Sequence, residues 1–195
     1  MRQGSIAGAG LALASAILLG AFLLARGPAD SDYFGPNEPT WVRVPTTIGD
    51  PVYVGILVLR AQPGDAIELE SVHVEGRIGD PSIEPIVRIL PGPSRILGAI
   101  AASDLGDTID LSTYTTFSTL RLSEAGGPVE LAVRVVGSAP LHGFDGVRLR
   151  FTINGDSAPI EDWIPLRASI CTGRTFAEAV DRCGALVKPV EGDRS

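Results

Sequence analysis

The chain has 195 residues, with 16 Lys and Arg against 23 Asp and Glu, two Cys and two His. That length bounds the folded part at one or two domains of ordinary size. The acidic balance disfavours nucleic acid and anionic lipid surfaces as partners, and two cysteines with two histidines at scattered positions do not make the usual zinc cluster.

No charged residue occurs from Gln3 to Ala25, and the run from Ile6 to Ala25 is almost wholly Ala, Leu, Gly and Ile. In a helix rising about 1.5 Å per residue such a run matches the roughly 30 Å hydrocarbon core of a bilayer. It predicts one transmembrane helix over 6–25. A cleaved signal peptide has an apolar region of about 7–15 residues, so the longer run here reads as an uncleaved signal anchor. Arg2 precedes the run, whereas Arg26 is followed by Asp30, Asp32 and Glu38. The positive-inside rule then places residues 1–5 in the cytoplasm and the rest outside the cell membrane, in a single-pass arrangement. Without Arg2 and Arg26 the basic residues number fourteen against 23 acidic, giving the exported part a formal charge of −9.

Residues 26–40 are rich in Pro, Gly, Asp and Asn without a hydrophobic period, and they predict a flexible tether. Beyond it, residues 41–184 predict one extracytoplasmic domain and 185–195 a disordered tail. Apolar side chains in this domain recur with a period of two. "DAIELESVHVEG" alternates at Ile67 and Leu69, then slips to Val72 and Val74, which predicts a β-bulge near Ser71. "YVGILVL", apolar at both parities, predicts a central strand covered on both sides. "VELAVRVVG" puts Glu130 and Arg134 on the outward face, and "VRLRFTING" does the same for Arg148 and Arg150 before the turn signal Asn154-Gly155. "APIEDWIPLRASI" is read as the single hairpin partner of that strand, and "SAPLHGFDG" as a loop. With further short strands around "WVRV", "IVRIL", "SRILGAI" and "STLRL", the pattern predicts a mainly β fold, an antiparallel β-sandwich of immunoglobulin-like or jelly-roll type.

Cys171 and Cys183 follow the last strand in this reading. An even pair in an exported domain predicts a disulfide, and neither the CxxC of a redox pair nor zinc-ligand spacing is present. Between them Thr175 and Glu178 have the spacing of a capping box, Gly184 is placed to end a short helix, and Phe176, Val180 and Cys183 would share one face of it.

The candidate sites are few. Asp104, Asp107 and Asp110 recur every three residues in a loop-like stretch and are the only candidates for a Ca²⁺ site, against the ordinary use of Asp in turns. Arg134, Arg148 and Arg150 are a candidate partner patch, since arginine suits carboxylate and phosphate groups, against neutralisation by Glu on adjacent strands. Trp41, Tyr114 and Trp163 are the aromatics that could stack on a sugar, Trp163 reading rather as core or sheet edge. His73 and His142 read as solvated, with no nucleophile motif beside them. No residue is assigned a catalytic or cofactor-binding role, and no cofactor is expected.

One anchor, a short tether and a small β-domain resemble the layout of many envelope proteins of Gram-positive bacteria, a resemblance of architecture alone. The expected function is that of a membrane-anchored extracytoplasmic module, not an enzyme, that binds or scaffolds an envelope protein. The alternatives are a cell-wall or carbohydrate-binding module, which predicts an aromatic-lined groove, and a glycan-acting hydrolase, which predicts a cleft with two unlike carboxylates.

Overall fold

The computed structural model describes residues 40–61, 64–90, 97–105, 109–156 and 158–185. The predicted transmembrane helix, the cytoplasmic N-terminus, all but the last residue of the tether, and the tail from 186 onward lie outside the described residues. Among the described residues no helix is long and apolar enough to cross a membrane.

Twelve β-strands occur among the described residues, followed by one α-helix: β1 (Thr40–Thr47), β2 (Val52–Leu59), β3 (Ile67–Glu75), β4 (Ser82–Ile89), β5 (Ala99–Ala101), β6 (Thr115–Thr116), β7 (Leu120–Arg121), β8 (Val129–Val136), β9 (Leu141–Phe144), β10 (Gly146–Ile153), β11 (Ile160–Ile164), β12 (Leu166–Gly173) and α1 (Phe176–Ala185). They form three sheets, of order β1-β12-β9, β11-β10-β3-β7 and β5-β2-β8-β4-β6. The inward parity of each supplies one shared core. Val129, Leu131, Val133 and Val135 of β8 join Val147, Leu149 and Phe151 of β10 and Leu166, Ala168 and Ile170 of β12, all nearly inaccessible to water. Each large side chain so buried contributes about 1.5–3 kcal/mol.

The predicted bulge is present. Arg150 pairs with Ser71 but Phe151 pairs with Leu69, so Glu70 is the extra residue, and Ile67, Leu69 and Val72 all face the core. Asn154 and Gly155 both have positive φ, and the Asp156 amide donates to the Ile153 carbonyl 3.0 Å away, closing the primed turn that the Asn-Gly pair calls for.

Three features depart from the sequence reading. Strand pairing is antiparallel except between β1 and β12, which run parallel from Thr40↔Leu166 to Thr47↔Gly173. A parallel pair needs only a long connection, and here the rest of the domain is that connection. "IEDWIPLRASICTG" is two strands rather than one, because Pro165, which has no N–H for a ladder, interrupts it. β11 stays with β10, while β12 crosses to the first sheet and carries Cys171 within it rather than after it. "LHGF", read as a loop, is β9, and its His142 is only 1% exposed, with Nδ1 3.1 Å from the Ala139 carbonyl oxygen.

The outer face of the five-stranded sheet is also covered. Ile86 of β4 and Ala132 of β8 meet Leu97 and Leu105, with Tyr53, Ile100, Ile109, Leu111 and Tyr114 packed around them in a second, smaller core. This cover buries Glu130, predicted to face solvent, to 1% exposure. Its carboxylate accepts from Arg88 Nε at 2.7 Å, from the Tyr114 hydroxyl at 2.6 Å and from the Leu97 amide. Arg88 in turn lies over the Tyr114 ring, 4.9 Å from its centre.

Candidate functional site

The outer face of the three-stranded sheet is divided in two. Strand periodicity sends Arg167, Ser169, Cys171 and Gly173 of β12 outward, opposite Trp41, Arg43, Pro45 and Thr47 of β1. α1 covers the Cys171–Gly173 half. Cys183 on the helix is bonded to Cys171 across a Cα–Cα distance of 5.5 Å, and Ala179 is fully buried against the sheet. Gly173 permits the approach, because a Cβ there would lie 2.7 Å from the Ala179 nitrogen and from the Thr175 carbonyl oxygen. The helix start is capped as its sequence predicts, the Thr175 hydroxyl accepting from the Glu178 amide at 3.3 Å. Glu178 reaches back one residue further than in the usual box, to the Arg174 amide at 2.9 Å. The helix runs through Gly184 to Ala185, and the face it buries holds Ala179 and Cys183, leaving Phe176 50% and Val180 43% exposed. In chain order, 176 and 180 sit to one side of the 179/183 stripe, which explains why they are not pressed onto the sheet.

The other half of the face is open. It forms a recess of about 330 Å³ lined by Trp41, Val42, Arg43, Ile78, Leu141, Asp145, Arg167 and Ser169. β9 forms the far side of its floor, and Ile78 extends that side by pairing with Gly143 through two 3.0 Å backbone hydrogen bonds. Trp41 stands at the rim, 61% exposed. Its ring is held by the Arg167 guanidinium, 4.7 Å from the ring centre, and Arg167 Nε donates a charged hydrogen bond to Asp145. That bond raises the Arg167 pKa further above its ordinary value, so the cation is permanent. A row of aromatic, cation and anion thus runs from β1 across β12 to the bend between β9 and β10. Arg43, the next outward residue on β1, is exposed and makes no ion pair with another described residue.

The sequence-predicted residues are distributed as follows. Cys171 and Cys183 form the disulfide. Arg134 lies on β8 of the five-stranded sheet, whereas Arg148 and Arg150 lie on β10 of the four-stranded sheet, so the three are not brought together on one surface. Each is met by glutamate: Arg134 by Glu84 at 3.6 Å, Arg148 by Glu75 at 2.6 Å and Glu161 at 3.3 Å, and Arg150 by Glu70 at 3.0 Å. The Arg148 hydrogen bond is the main reason that Glu75 is held below the usual carboxylate range. Trp163, at the sheet edge, packs beside Arg148 at 5.7 Å. Asp104 lies in a short 3₁₀ turn, and Asp107 is outside the described residues. Asp110 caps the turn Leu111–Thr113 by accepting from the Ser112 amide at 2.9 Å and hydroxyl at 2.7 Å, and these bonds lower its pKa. No metal-ligating cluster of three acidic, His or Cys residues occurs among the described residues. His73 is exposed on β3, as expected.

Of the recess, the sequence pointed to Trp41 alone. Arg43 and Arg167 alternate correctly for outward positions, but only the parallel pairing of the first and last strands places them side by side. Compared with known proteins, the chain matches no protein-family model and no curated sequence.

Proposed function

We propose that this protein is a membrane-anchored, single-pass extracytoplasmic module whose β-domain is a sandwich, and that it binds a cell-wall glycan through the recess beside Trp41. The sandwich reading is supported by one core shared between facing sheets. The immunoglobulin-like and jelly-roll alternatives both accommodate it. The observation that carries the glycan reading is the exposed, pre-oriented Trp41 ring beside a polar recess floored by β-strands. A sugar offers one apolar C–H face for stacking and a rim of hydroxyls, and a fixed indole flanked by Arg and Asp meets both. The recess holds a single carboxylate, Asp145, engaged by Arg167. Two-carboxylate glycoside hydrolysis needs a second one, so the geometry supports binding rather than catalysis.

The test is sedimentation of the full-length protein, in detergent, with purified bacterial cell wall. The wild type pellets, and Trp41→Ala loses about tenfold or more in affinity, the effect of removing an aromatic anchor. Absence of pelleting, or equal pelleting of the variant, overturns the glycan reading. The anchor and its orientation are tested separately by protease accessibility in intact cells, where full protection of the β-domain would overturn them.

A second reading, an envelope-protein partner, is favoured by one observation, the exposure of Phe176 and Val180 on neighbouring turns of α1. In-cell crosslinking that recovers one envelope protein with the wild type, and not with a Phe176→Ser/Val180→Ser variant, would support it.

A further inference from the structure

We propose that the recess takes an anionic saccharide and that Arg43 is the residue that binds its carboxylate or phosphate group. This inference rests on the glycan reading and narrows its ligand class.

Cross-strand charge pairing is the rule on the faces of this domain. Among the described strands seven positions are arginine, and six have a carboxylate within ion-pair distance on another element or strand. The seventh, Arg43, has Ser169 directly opposite it and no ion-pair partner among the described residues. An acidic chain with 23 carboxylates offers many ways to neutralise an exposed strand cation. The one left open lies in the wall of the recess that also presents Trp41.

Arg167 adds to the same field. Only its Nε is used by Asp145, and its other guanidinium nitrogens make no hydrogen bond with a described residue. The recess therefore carries two guanidinium groups and one carboxylate, a local excess of positive charge in a domain that is otherwise negative. A neutral sugar needs hydroxyl-matched dipoles and gains nothing from an unneutralised guanidinium. A ligand with a planar or tetrahedral oxyanion gains a charge-assisted, bidentate partner. Stacking on Trp41 would place a ring substituent toward Arg43, two residues along the same strand face and about 6.5–7 Å away.

Two cell-wall groups have this chemistry, the carboxylate of peptidoglycan or of a uronate, and the phosphodiester of an anionic wall polymer. The experiment separates them. Full-length protein in detergent is sedimented with native wall, with wall stripped of phosphodiester polymers by hydrofluoric acid, and with wall whose carboxylates have been amidated. Wild-type affinity should fall about tenfold on whichever treated wall has lost the group, the size of one charged hydrogen bond. Arg43→Ala should bind native wall no better than wild type binds that treated wall, and should be indifferent to the treatment. Arg43→Lys should recover part of the loss. Arg43 is exposed and has no ion-pair partner among the described residues, so neither variant disturbs the described fold. If wild type binds all three walls equally while Trp41→Ala still fails, the glycan reading stands and the anion inference is overturned. If wild type pellets with none of them, both are overturned.

Discussion

Glu130 should be among the costliest side chains to remove outside the apolar core. It is 1% exposed, and Arg88, whose side chain is 9% exposed, lies against it. Glu130→Ala would remove the carboxylate bonded to Arg88 Nε in a nearly dry site, and would leave the Leu97 amide and the Tyr114 hydroxyl without their acceptor. Breaking a buried pair from one side costs about 3–5 kcal/mol, and each orphaned neutral donor adds about 1–3 kcal/mol unless water reaches it. The cavity of about 150 Å³ between Leu97, Glu130 and the bulge at Gly55–Leu57 can admit water, so the lower end, about 4 kcal/mol, is expected. Total stabilities of 5–15 kcal/mol are usual, so this is a large fraction of what the domain has. Urea unfolding followed by tryptophan fluorescence measures it. The double variant Glu130→Ala/Arg88→Met should recover much of the loss, because it removes the cation that has lost this carboxylate and refills the space with an apolar stem. A Glu130→Ala cost below about 1 kcal/mol, or no recovery in the double variant, would refute the account of Glu130 as the acceptor that ties the second core to the sheet.

The remaining expectations are briefer. Replacing both cysteines by alanine should lower stability by about 3 kcal/mol, the chain-entropy value for a loop closed at a sequence separation of 12, read as a shifted urea midpoint. Gly55→Ala should cost about 1–3 kcal/mol and detach the segment leading into β5, because the added Cβ would run into the Leu97 carbonyl and disturb the 2.7 Å bond from the Gly55 amide to Gly98; amide exchange at residues 98–101 reads this out. Glu178 is held below its ordinary value of 4.5, first by the Arg174 amide and then by Arg182. A lowered carboxylate contributes stability that is present above the unfolded-state value and lost as pH falls through the folded one. The Tm advantage of wild type over Glu178→Gln should therefore persist at neutral pH, begin to shrink as pH falls through about 4.5, and vanish only below the lower folded-state value.

What the sequence made legible was what strand periodicity and local turn chemistry determine. The bulge at Glu70–Ser71, the Asn154-Gly155 turn, the inward rows of β8 and β10 and the capped helix after Cys171 all follow from side chains within ten residues of one another. What was not legible depends on long-range placement. Glu130 alternates as a solvent-facing residue should, and nothing within β8 announces that Leu97, Leu105 and Tyr114 will pack over its face of the sheet. Arg134, Arg148 and Arg150 share an outward parity, but parity does not say that β8 and β10 belong to different sheets. Which residues of α1 meet the sheet was not legible for a related reason. Helical spacing groups 176, 180 and 183 equally well with or without Ala179, and the small residue is the one that lets the helix backbone approach Gly173.

β12 links the staple and the recess. Its outward residues alternate regularly, yet Cys171 and Gly173 lie beneath the helix and Arg167 and Ser169 lie in the open. The boundary is set by where α1 starts. Gly173 brings the first turn down onto the strand end, and Cys183 fixes the far end of the helix at Cys171, two outward positions short of Arg167. A bulkier residue at 173 would lift the helix, and a longer link between the cysteines would let it slide along the strand. The short spacing thus fixes where the helix lies as well as restricting the unfolded chain. The part of the strand face beyond Cys171 stays open and holds the recess rimmed by Trp41.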